Sequence, residues 1–177
     1  MKYSLLTVLV TALAAQATIA PTNSAPNPYE TVENYFKLPE GRTWGSTSAV
    51  DIDKDGKTIW VAERCGANSC LNRQTGEFSP LDVVLKFDAS GKLLKSFGAG
   101  MFVFPHGIHV DRDGNIWVTD GQDNFPQAAR GRAADPATPP PAPPAKPAGH
   151  QIYKFSPEGK LLLTLGKPGG NRPACRA

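Results

Sequence analysis

Several features are scarce in this 177-residue chain, and each scarcity removes a class of answer. Cysteine occurs three times, and no second pair stands at ligand spacing from Cys65 and Cys70, which excludes a zinc ribbon. Lysine and arginine (19) barely outnumber aspartate and glutamate (16) and form no basic stripe, so no nucleic-acid surface is expected. Beyond residue 20 no apolar run reaches the ~20 residues that a spanning helix needs, so no stable membrane span is expected. A Ser-centred nucleophile motif and a phosphate-cradling glycine loop are both missing. The pairs Asp53/Asp55 and Asp111/Asp113 lack the spacing of a calcium-binding EF-hand loop, because Gly follows the second Asp directly and no Glu stands at the twelfth position. They read as turn residues.

The start of the chain has a recognisable layout. Lys2 precedes an apolar run from Leu5 to Ala15, and small residues around Ala17 and Ala20 offer cleavage positions. Residues 1–20 therefore read as a secretory signal peptide, and the expected location is secreted or periplasmic. Export fits Cys65 and Cys70, which bracket Gly66-Ala67-Asn68-Ser69 and are a candidate disulfide in an oxidising compartment. Cys175 has no obvious partner. Residues 21–44, with Pro21, Pro26 and Pro28 among small polar residues, read as a flexible segment leading into the fold.

The body of the chain is a repeat. Val50 to Ala62 alternates, turns at Asp53-Lys54-Asp55-Gly56 and continues as Ile59-Trp60-Val61. Ile108 to Thr119 repeats that design around Asp111-Arg112-Asp113-Gly114, with Ile116-Trp117-Val118 answering. A second hairpin type, Val84 to Leu94, recurs as Ile152 to Leu162. The order is hairpin A, hairpin B, A again, B again, which predicts two four-stranded antiparallel sheets over 45–170. Tandem sheets of this kind predict an all-β fold, a β-propeller of about two blades. A β-sandwich, the competing reading, predicts no such alternation with matching turn residues. Propellers close with 4–8 blades, so the chain is expected to be the N-terminal part of a longer propeller. Seven of the 17 prolines fall between Pro136 and Pro147, inside an insertion over 121–149 that reads as an extended surface loop; residues 171–177 read as a tail.

Phe104-Pro105-His106-Gly107-Ile108, then Val110-Asp111 and Ile116-Trp117-Val118-Thr119-Asp120, resemble a blade of the NHL-repeat propellers. Within that group the stretch most resembles the peptidyl-α-hydroxyglycine α-amidating lyases and their secreted bacterial relatives. His150 to Phe155 is similar to the family's next strand, and Gly166-Lys167-Pro168-Gly169 to its blade exit. The resemblance implies a six-bladed ring and a zinc ion held by three histidines, of which His106 matches one. It implies a catalytic arginine at the position of Arg64, and a calcium ion held partly by main-chain carbonyls at Val50 and Ile108. The other zinc ligands, the catalytic tyrosine and the calcium carboxylate have no counterpart in this chain. By that resemblance the intact protein splits a hydroxyglycine-extended peptide or another N-acyl hydroxyglycine into an amide and glyoxylate, and this chain alone is expected to be inactive.

Residue chemistry is compatible with those roles. Neutral imidazole is a common zinc ligand, an open zinc site needs three protein ligands, and a planar guanidinium suits a carboxylate. Plainer roles stand beside them: Arg64 pairing with Glu63 or Asp120, His109 lying structurally on the hairpin face, His150 packing near a blade edge. Two other functions fit the same pattern, a non-catalytic NHL-repeat module binding peptide or protein, and a calcium-dependent lactonase-like hydrolase.

Overall fold

The computed structural model describes residues 26–126 and 142–170. The signal-peptide and tail readings lie outside the described residues, as do 127–141 of the insertion. Residues 26–33 carry no strand, and Tyr29 N–H donates to Asn27 Oδ1 at 3.1 Å. The rest of the description concerns residue 34 onward.

Described residues form no helix and two antiparallel sheets, the expected all-β, incomplete propeller-like arrangement. The first sheet orders β1 (Thr47–Ile52), β2 (Ile59–Glu63), β3 (Val84–Phe87) and β4 (Leu93–Phe97). The second orders β5 (Pro105–Val110), β6 (Ile116–Asp120), β7 (Ile152–Phe155) and β8 (Leu161–Leu165) in the same sequence. Both first hairpins turn alike. Asp53 N–H donates to Thr58 O and Asp111 N–H to Asn115 O, with Gly56 and Gly114 at φ of 70° and 87°, a region glycine enters at little cost. β1 and β5 even carry their irregularities at matching places, between Thr47 and Ala49 and between Pro105 and Gly107.

Alternation decides which side of each sheet does what. Trp60, Ala62 and Val84 of the first blade pack against Val110, Ile116, Val118, Tyr153 and Phe155 of the second. Phe97 lies between, with ring centroids 5.8 Å from Trp60 and 5.1 Å from Phe155. The opposite side of the first sheet shows Val61, Leu85 and Phe87, and these are covered by Phe36 and Leu38. Thus residues 34–44, expected to be flexible, instead lie on the first blade: the Phe36 and Trp44 rings pack tilted against Phe87 with centroids 4.6 and 5.9 Å away, and Lys37 N–H donates to Gly91 O. An apolar sheet face needs a cover, and this segment provides it.

Position by position, Val118, Tyr153 and Phe155 in the second blade answer Val61, Leu85 and Phe87 in the first. Each blade therefore turns a Trp-bearing face one way and a Val/aromatic face the other. On the Trp-bearing side of the second blade, among the described residues, Ile152, Leu163 and Leu165 are all more than a third exposed.

Two polar devices repeat with the strands. Asp53 Oδ2 accepts the Trp60 indole N–H (2.7 Å) and meets Lys86 Nζ (2.7 Å), whose ammonium lies 5.1 Å from the Trp60 ring centre. Asp111 does the same with Trp117 (3.0 Å) and Lys154 (3.0 Å). So the first aspartate of each pair is a hub as well as a turn residue. Burial pushes Asp53 up, but Lys86 and Trp60 hold it below the ordinary carboxylate range; the Trp117 indole, Lys154 and Asn115 do so for Asp111. The second device is a buried acid closing each second strand, Glu63 and Asp120.

Candidate functional site

Those acids organise the end of the blades where the candidate residues sit. Glu63 accepts the Arg42 guanidinium and the N–H groups of Gly45 (3.2 Å) and Gly66 (3.0 Å). Asp120 accepts Val103 N–H (2.9 Å) and Phe104 N–H (2.6 Å), and burial raises its pKa. Each carboxylate thereby holds the backbone that leads into its blade's inner strand. In the second blade that backbone is Phe104-Pro105, immediately before His106.

Arg64 follows β2 and crosses toward the second blade. Its guanidinium carbon lies 3.5 Å from the centre of the Phe104 ring, its Nε–H donates to Pro105 O (3.1 Å), and Nη1 donates to Asn68 Oδ1 (2.8 Å). Among the described residues these are the polar partners of its side chain; the plainer pairing with Glu63 or Asp120 is not made. Three of the five guanidinium N–H donors remain for a ligand. Burial lowers the pKa of Arg64, but an arginine stays charged at neutral pH.

His106 is exposed at the start of β5, and its ring stacks on Phe104 with centroids 6.1 Å apart. Gly121 keeps space beside it, since a Cβ there would lie 3.3 Å from His106 Cβ. One phenyl ring therefore carries both Arg64 and His106. Beside it opens a cleft of about 670 Å³ between the 67–73 loop, Phe78 and Gln122, which Arg73 spans with a 2.9 Å bond to Gln122 Oε1.

Other candidates lie further along the inner strands. Val50, more than half exposed, and Ile108 occupy equivalent positions in β1 and β5. Next to them Asp51 Oδ2 accepts Val110 N–H (2.8 Å) and lies 3.1 Å from His109 Nδ1, tying the two blades. Burial pushes Asp51 up, yet these partners and Ile52 N–H hold it below the usual range. His109 is thus engaged in an inter-blade contact, and His150 lies 3.5 Å from Asp123 Oδ2 at the closed base of the insertion, where Asp123 bridges Gly149. Cys65 and Cys70 are joined as a disulfide.

Among the described residues no group of three or more His, Cys, Asp or Glu side chains is arranged to hold an ion, and His106 supplies one imidazole. No described helix is long and apolar enough to cross a membrane.

Sequence reading missed Asn68, the platform role of Phe104, and the buried acids. The acids did leave a signal, because Glu63 and Asp120 come after the Ile-Trp-Val motif at the same distance in both repeats.

Comparison with known proteins agrees with the motif resemblance. The chain is 30% identical over 157 residues to peptidyl-alpha-hydroxyglycine alpha-amidating lyase 2 of Drosophila melanogaster, covering 83% of this chain and 32% of that protein. It is 28% identical over 147 residues to lyase 1 of the same organism, 75% of this chain and 22% of that protein. A 66-residue stretch, 37% of this chain and 7% of the relative, is 44% identical to peptidyl-glycine alpha-amidating monooxygenase A of Xenopus laevis. The chain is thus related to the amidating lyases at modest identity, and it spans about a third or less of the length of these relatives. No family model matches it.

Proposed function

We propose that this chain supplies one wall of the active site of a secreted hydroxyglycine lyase, the wall that receives the substrate's carboxylate. The observation that carries the reading is the shared Phe104 platform: Arg64 and His106, assigned to the reaction by the family resemblance, come together on one ring. The reaction converts an N-acyl hydroxyglycine into an amide and glyoxylate. The C–N bond breaks, the hydroxyl-bearing carbon becomes the aldehyde, and the hydroxyl proton is balanced by one gained at the amide nitrogen, with no redox change. Arg64's part is to bind and orient: its three remaining donors present a forked site for a carboxylate, and a reactant so held loses the freedom that slows reaction.

In this reading His106 is one ligand of a zinc site whose other ligands lie outside this chain, and Val50 and Ile108 offer carbonyls to a calcium ion. Among the described residues neither metal site is complete. Export is supported by the Cys65–Cys70 disulfide, a bond of oxidising compartments.

Glyoxylate release from an N-acyl-α-hydroxyglycine, assayed on the gene product carrying this chain, is the test. Arg64→Ala is expected to lower kcat/KM by at least a hundredfold, and His106→Ala to remove bound zinc. Unchanged turnover in Arg64→Ala contradicts the reading. Calcium as the sole bound metal favours the lactonase-like alternative, and no metal at all the binding module.

A further inference from the structure

We infer that the disulfide-closed loop Cys65–Cys70 positions Arg64, with Asn68 as the positioning residue. The geometric claim stands on the loop's own contacts; its consequence for catalysis rests on the carboxylate-binding reading of Arg64 given above.

An arginine side chain samples many rotamers unless several contacts agree on one. Two contacts that fix Arg64, the Phe104 face and Pro105 O, come from the second blade. The third, Asn68 Oδ1, comes from inside the ring that the disulfide closes. That ring is tied on every side. Ala67 N–H donates to Arg64 O (3.0 Å), Gly66 N–H to Glu63 Oε2 (3.0 Å), and Ser46 N–H to Ala67 O (2.7 Å). Cys70 N–H (3.0 Å) and Ser69 Oγ (3.1 Å) both donate to Val103 O. One small loop therefore grips the backbone leading into β1 at Ser46 and the backbone leading into β5 at Val103, and it holds Arg64 between them.

Three further observations fit a local role. The cysteines are five positions apart, and a bridge over so short a loop constrains the unfolded chain least, so global stability is its weakest justification. Cys65 and Gly66 stand at φ of 55° and 71°, and a left-handed cysteine costs energy that the loop must hold against. Packing leaves the loop little room to shift, since a Cβ on Gly45 would lie 2.4 Å from the Ala67 backbone.

The chemistry of Asn68 is also specific. A neutral amide oxygen orients the guanidinium without cancelling its charge, whereas a carboxylate at that place orients and neutralises it together. Position and charge can thus be separated by experiment.

The test is NMR on the intact chain, reading the ring-current shift of the Arg64 side-chain protons over Phe104, with N-acetylglycine as a carboxylate probe. Asn68→Ala is expected to collapse the ring-current shift and weaken N-acetylglycine about fivefold, the loss of one ordinary hydrogen bond. Asn68→Asp should keep the shift while weakening the probe about tenfold. The double variant Cys65→Ser/Cys70→Ser should lose the shift as Asn68→Ala does. A wild-type ring-current shift in Asn68→Ala overturns the proposal, and that variant decides the matter even if the double variant does not fold. If N-acetylglycine leaves Arg64 unmoved in the wild-type chain, the carboxylate reading of Arg64 falls while the positioning result still stands on the ring-current shift.

Discussion

The two blades share a scaffold and differ at one end. Turn, inner-strand bulge, Asp–Trp–Lys hub and buried acid recur in both at equivalent places. Beyond the buried acid the copies part. Where the first blade has Arg64 the second has Gly121, and where the second has His106 the first has Ser48. The connection after the second strand is a disulfide loop in one blade and a Pro/Ala-rich insertion in the other. Repetition thus marks what the fold requires, and departure marks where the candidate site residues lie. The pair Arg64/Gly121 shows this directly. A side chain at 121 would crowd His106, so the second blade gives up the residue that the first blade extends toward it.

Stability experiments can break this comparison. The largest effect is expected at the acids. Glu63 is fully buried and served by Arg42, so Arg42→Ala leaves a buried charge short of its partner and should cost about 3–5 kcal/mol in urea unfolding. Asp120 is held by backbone N–H groups that no side-chain deletion removes, so no single substitution of a partner should match that loss. Next come the hubs. Asp53→Ala strands a buried indole N–H and an ammonium and should cost about 2–3 kcal/mol. Asp111→Ala should cost less, because its hub is the more open of the two. Equal losses at 53 and 111 would mean that burial does not distinguish the blades.

The pH dependence separates the same groups by sign. Asp53, Asp51 and Asp111 have lowered folded pKa values, so their stabilisation is present above the ordinary carboxylate range and is lost as pH falls toward those values. Asp120 is raised by burial, so the native state binds the extra proton. Its contribution to stability falls as pH climbs from the ordinary range through the raised value. Asp120→Asn should remove that fall and leave the acid-side loss in place, as read from urea midpoints across pH. The smallest effect is expected on the open face of the second blade, where Leu163→Gln should change stability by less than about 0.5 kcal/mol. A large loss there would mean that something covers this face in the isolated chain.

The same division separates what the sequence reveals from what it hides. Strand order, turn type and the pairing of hairpins were legible because alternation and glycine turns are local signals that occur twice. The covering of the first blade by Phe36 and Leu38 was not, since proline-flanked polar residues around a short apolar pair look like a tail until an apolar sheet face is available to receive them. Arg64 and His106 were legible one at a time, through motif resemblance. That Phe104 joins them depends on the packing of one blade on the next, which brings Arg64 and Phe104 together across 40 positions, while the Arg64–Asn68 bond, only four positions long, depends on how the 65–70 loop folds. The double duty of Asp53 and Asp111 was hidden for a related reason: a turn explains an aspartate by itself, while its indole and ammonium partners sit on other strands.

The most direct measurement is a nuclear Overhauser spectrum of the chain with labelled Arg64, Phe104 and His106. The account predicts cross-peaks from the Phe104 ring to the Arg64 side chain and to the His106 imidazole, with both lost in Phe104→Ala. A Phe104 ring that reports neither neighbour, or only one, would contradict a single site built by the two blades.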